Sequence, residues 1–192
     1  MGVGSIVAIV LRLVVPVSIL RCPLAGLIAC MVLDTFDVTM AAMWGGNLGL
    51  SPAFDYHHVD KLLDTYYLSF AFVVSLKWQD RLARRTSIVL FWHRFAGVVL
   101  FLATGWRPLL LLFPNIFEYF FFLYLLVRKF SPGFRITKAH QLVLMLLVVG
   151  LPQLFREYTF HYREMSLVEI INTFTPFEIH EPSVWHWIKG RL

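Results

Sequence analysis

The chain has 192 residues, of which 58% are apolar and 16% aromatic, and its mean hydropathy is +0.69. A soluble domain of this size would leave much of that apolar surface in water, which excludes the ordinary soluble classes. The net charge of +5 is spread over short polar connections between apolar runs. That is the pattern of membrane-flanking Lys and Arg, and no nucleic-acid-binding face is expected.

The expected fold is all-α, a polytopic membrane helical bundle of about six transmembrane helices in residues 1–155, followed by an interfacial tail in 156–192. The N-terminus, Met-Gly-Val-Gly-Ser, lacks a basic leader and reads as the start of the first span. That span covers 3–20 and is interrupted by Arg12 and Pro16. An Arg near mid-span must face protein, water or an anionic group. The second run, about 23–44, carries Asp34 and Asp37 in its second half, and Gly45, Gly46, Asn47, Gly49, Ser51 and Pro52 make a turn-rich connection after it.

The third run, about 57–76, opens with Asp60 and Asp64. Lys77 to Arg85 is a charged connection, and the fourth run, 87–104, holds His93 and Arg94 near its middle. Gly105 to Pro108 is a turn with Trp106 as an interfacial anchor. The fifth run, about 108–127, contains Pro114, Asn115 and Glu118, and the sixth spans about 139–155. The Phe-rich stretch after Glu118 reads as lipid-facing or bundle packing. Cys22 and Cys30 have no metal-like spacing and read as packing residues. In the tail, Trp185 and Trp187 read as interfacial anchors. Lys and Arg are denser after spans one, three and five, which favours an outside N-terminus, although the basic tail opposes it.

Five of the six aspartates lie between Asp34 and Asp64. Residues three or four apart on a helix share a face, so Asp34 with Asp37 and Asp60 with Asp64 each present two carboxylates in one direction. Both pairs flank one loop, so they fall at the same end of a helical hairpin. Four carboxylates in a low-dielectric setting need cations, and hard divalent ions such as Mg²⁺, Mn²⁺ or Ca²⁺ suit oxygen ligands. Asp55, His57 and His58 lie beside the second pair and read more simply as solvated turn residues than as ligands. Arg12 and Arg94 offer guanidinium forks to phosphate oxygens; the structural alternative pairs Arg94 with Glu118 across neighbouring spans.

These residues resemble the signature of the CDP-alcohol phosphatidyltransferase family, six-span enzymes with D-x-x-D-G-x-x-A-R-x8-G-x3-D-x3-D on their second and third helices. Asp34, Asp37, Ala41, Asp60 and Asp64 match in type and local spacing, and the Arg12 to Pro16 pattern is also similar. Val38, Ala42 and Tyr56 stand where the family has Gly, Arg and Gly, and five extra residues separate Asp37 from Asp60. The resemblance implies that Asp34, Asp37 and Asp60 ligate Mg²⁺ or Mn²⁺ against a pyrophosphate, with Asp64 at the same metal site and as the base that deprotonates an acceptor hydroxyl. It implies a lipid substrate and a role in phospholipid biosynthesis. Substitution of both glycines leaves the nucleotide donor open. The alternative expectation is a catalytically degenerate membrane subunit, with a structural or partner-binding role in a homodimer or larger membrane complex. A carrier using the carboxylates is the third reading, and the absence of repeats counts against it.

Overall fold

The computed structural model describes the backbone of residues 3–43 and 56–158 and the side chains of 5–36, 58–156 and 158. All regular structure in these residues is helical: α1 (Val3–Val14), a 3-10 helix (Val15–Leu20), α2 (Pro23–Met43), α3 (Tyr56–Ser75), α4 (Arg81–Thr104), α5 (Pro108–Leu112), α6 (Ile116–Phe130) and α7 (Ala139–Glu157).

Proline and glycine set the boundaries. Pro16 has no N–H to continue the α-helical ladder, so the chain tightens into the 3-10 segment. Pro23 then opens α2 at a position where a missing N–H is harmless. A Cβ on Gly26 would lie 2.6 Å from the Ile19 backbone nitrogen, so glycine is what lets α2 lie against the 3-10 segment. Asp80 caps α4 by accepting from the Leu82 and Ala83 N–H groups at 3.1 and 3.2 Å. Its second oxygen accepts from the Ile136 N–H at 2.6 Å, which ties the connection before α7 to the start of α4. Gly105, at φ 67°, ends α4 in the left-handed conformation.

Helix α3 is the centre of the bundle, touching α1, α2, α4 and α6. Its Tyr67, Leu68 and Ala71 join Ile19, Leu27 and the buried face of α6 in one apolar core. Phe117, Phe120, Phe121 and Tyr124 follow the three-and-four spacing of one helix face and are fully buried. Trp78 closes that end, its ring 4.2 Å from Tyr124 and 5.3 Å from Phe121 between centroids. The Phe-rich stretch is therefore mainly bundle packing. Outward faces are also apolar: Val89, Trp92, Leu144, Val148 and Leu151 are exposed.

Among the described residues, three helical stretches are long and apolar enough to cross a membrane: Arg81–Thr104, Pro108–Phe130 and Ala139–Arg156. A helix rises about 1.5 Å per residue, so the 24 residues of α4 exceed a hydrocarbon core about 30 Å thick. Ser5–Leu20 and Pro23–Phe36 are shorter apolar helices. Helix α3 carries Asp60, Lys61 and Asp64 in its first half, which lowers its apolarity. The fifth run is broken: α5 ends at Leu112 and α6 starts at Ile116, around Pro114. Of the expected tail, residues 159–192 lie outside the described residues, as do Asp55, the side chain of His57 and the side chains at Val38, Ala42 and Tyr56.

Candidate metal centre

Arg12, in the last turn of α1, meets carboxylates from two other helices. Its Nη2 donates to Asp34 Oδ1 on α2 at 2.7 Å and to Asp64 Oδ1 on α3 at 2.7 Å. Its Nη1 donates to Asp60 Oδ1 at 2.9 Å. Lys61 lies between the two α3 aspartates in sequence and turns back onto both, reaching Asp60 Oδ2 at 2.7 Å and Asp64 Oδ2 at 3.0 Å. Asp60 and Asp64 are four apart, so their carboxylates point the same way along α3.

The cluster is buried apart from Asp34, whose side chain is one-third exposed. An unpaired charge there would carry a desolvation penalty of several kcal/mol. Each carboxylate has a cationic partner, and both oxygens of Asp60 and of Asp64 are engaged. Among the described residues three carboxylates face two cations in direct contact, an excess of one negative charge.

One oxygen each from Asp34, Asp60 and Asp64 lie within 4.8 Å of one another. Two oxygens on a single ion at about 2.1–2.5 Å can be at most about 5 Å apart, so these three could hold a metal ion. Arg12 and Lys61 between them engage both oxygens of Asp60 and of Asp64, and Arg12 engages one oxygen of Asp34. The crevice beside Arg12, between Cys30, Leu33 and Tyr67, is too narrow to hold a water molecule.

Of the expected metal ligands, Asp34, Asp60 and Asp64 are thus brought together. Asp37 follows Asp34 by nearly one turn of α2, and its side chain lies outside the described residues. The ring of His58 stacks on Phe101 at 5.2 Å, and His58 is not in the acidic group.

Arg94 is buried, and its Nη1 donates to the Phe113 carbonyl at 2.7 Å, an acceptor set free where α5 ends. Gly97, less than one turn on, has no room for a Cβ because Phe113 occupies the space. Glu118 accepts from Tyr67 Oη at 2.6 Å and from Asn115 Nδ2 at 2.6 Å. The expected Arg94–Glu118 ion pair does not form among the described residues. The interrupted helix supplies each with a nearer partner, a freed carbonyl for Arg94 and the Asn115 amide for Glu118.

Two site residues escaped the sequence reading. Lys61 sits between Asp60 and Asp64, next to one and three residues before the other, and that position was a usable signal. Tyr67, one turn after Asp64, had none. No known protein family, curated protein or solved structure matches this chain.

Proposed function

We propose that this chain is a metal-dependent integral membrane phosphotransferase acting on a CDP-activated or similarly phosphorylated lipid precursor. The observation that carries the reading is the convergence of Asp34, Asp60 and Asp64 within one ion's reach, beside two cationic side chains. With Asp37 as the fourth carboxylate, a divalent ion added to Asp34, Asp37, Asp60 and Asp64 with Arg12 and Lys61 takes the local formal charge from −2 to zero and removes the repulsion a phosphate would meet. The resulting centre suits a phosphate diester or pyrophosphate.

In this reading Asp34, Asp37, Asp60 and Asp64 would hold Mg²⁺ or Mn²⁺, and the bound ion would supply neutralisation of charge on the transferring group. Arg12 moves from carboxylate to phosphate oxygens, and Arg94 supplies further positive charge from α4. Asp64 accepts the proton of the acceptor hydroxyl as its oxygen bonds to phosphorus. The bond to the departing phosphate breaks, and that group leaves with the electron pair. The reading takes all six runs as spans, so that the substrate's lipid chains would lie beside the centre that α1 to α3 build.

Purified protein in lipid nanodiscs, given a labelled CDP-lipid, an alcohol acceptor and Mn²⁺, tests the reading. Transfer that requires the metal and falls about 10²- to 10⁴-fold in Asp64→Asn is expected. Equal transfer in Asp60→Asn, Asp64→Asn and the parent overturns it.

A second reading is favoured by the occupied oxygens of Asp60 and Asp64 and by the narrow crevice beside Arg12. Here the cluster is an ion-pair lock joining α1, α2 and α3 in a non-catalytic subunit of a homodimer or larger membrane complex. Absence of any Mn²⁺ binding, with stoichiometric partners on purification, distinguishes it.

A further inference from the structure

We propose that the furrow between α6 and α7 binds one acyl chain of an anionic phospholipid, with the lipid phosphate held at Arg156. The furrow encloses about 290 Å³ and is walled by Tyr119, Phe122 and Leu123 of α6 and by Val148 and Pro152 of α7. Ligand sites run from about 300 Å³ upward, so the space suits one chain and is too small for a whole lipid. It opens on a helix whose Leu144, Leu147, Val148 and Leu151 are exposed, an apolar surface of the kind that faces lipid on a helix long enough to cross a membrane.

Its single charged wall is Arg156, in the last turn of α7, with the guanidinium 5.5 Å from the centroid of the Tyr119 ring. An apolar channel ending in one cation complements an amphiphile with a negative head, as basic positions at the ends of membrane helices do for anionic lipids. Tyr119 adjoins Glu118, which accepts from Tyr67, and Tyr67 lies one turn beyond Asp64. The cationic end of the furrow therefore lies towards the end of the bundle that holds the acidic cluster. The inference stands whether or not that cluster is catalytic.

Photocrosslinking tests it. Benzoylphenylalanine placed at position 148 of the full chain, in nanodiscs of phosphatidylglycerol or of phosphatidylcholine, is irradiated and the intact mass measured. The expected result is an adduct of one phospholipid, about fivefold more abundant with phosphatidylglycerol, as one Arg contributing ~1 kcal/mol requires. The preference disappears in Arg156→Gln and survives in Arg156→Lys. The same probe at Val89, exposed on α4, labels both lipids equally. Equal labelling of the two lipids at 148, an unchanged preference in Arg156→Gln, or capture of the chain's own residues 159–192 overturns the proposal.

Discussion

Arg12 on α1 and Asp64 on α3, 52 positions apart, form a 2.7 Å ion pair in which both side chains are almost fully buried. The pair, extended through Asp60 and Asp34, is what fastens the first helix to the centre of the bundle. Arg12→Gln keeps a polar side chain but, among the described residues, leaves Asp60 and Asp64 with Lys61 as their cation and Asp34 with no direct one. Removing one partner of a buried pair costs about 3–5 kcal/mol. Thermal unfolding in detergent is expected to show a loss of that order, and Mn²⁺ is expected to restore part of it, because the metal replaces the missing cation. A loss with no metal response favours the ion-pair lock.

Asp80 gives a contrast from an aspartate outside the cluster. Asp80→Ala removes the cap from α4 and strands the Ile136 N–H, so stability falls by about 1–2 kcal/mol. Mn²⁺ affinity is expected to stay unchanged. Asp60→Asn is expected to abolish it, and calorimetric titration separates the two variants.

Tyr67 and Glu118 join α3 to α6 through a 2.6 Å hydrogen bond. Tyr67→Phe is expected to cost about 0.6–1.7 kcal/mol, the range of side-chain hydrogen bonds between membrane helices. Glu118→Gln is expected to be milder. Asn115 can turn its amide so that Oδ1, which has no partner among the described residues, accepts from the new Gln. Glu118→Leu removes both acceptors and is expected to be the most damaging of the three in the same unfolding assay.

Gly97 permits the approach of Phe113 to α4. Gly97→Ala forces overlap at a place where Arg94 also grips the Phe113 carbonyl, so an overpacking loss of about 1–3 kcal/mol is expected. Unchanged melting would mean that the α4–α5 contact is looser than described.

The apolar runs and their proline and glycine boundaries were legible because membrane helices are written in composition. Helices occupy each of the six runs, and the carboxylates of Asp34, Asp60 and Asp64 converge as their spacing implied. Among the described residues three stretches meet the length and apolarity of a crossing and charged α3 does not, so the all-helical, membrane-length character is borne out and the count of six remains an expectation. The interruption at Pro114 was visible as a residue but not as a break, since proline is tolerated within membrane helices. That break redirected Arg94 and Glu118 to local partners, which no spacing rule anticipates. The role of Arg12 as a shared counter-ion also depended on how α1 packs, since Arg serves carboxylate and phosphate with the same fork.

The claim that Asp34, Asp60 and Asp64 hold a divalent cation is tested most directly by electron paramagnetic resonance of Mn²⁺ with the purified chain in nanodiscs. One tightly bound Mn²⁺ per chain is predicted, present in Asp80→Ala and lost in the Asp60→Asn, Asp64→Asn double variant. A spectrum of free Mn²⁺ alone with the folded parent protein would contradict it.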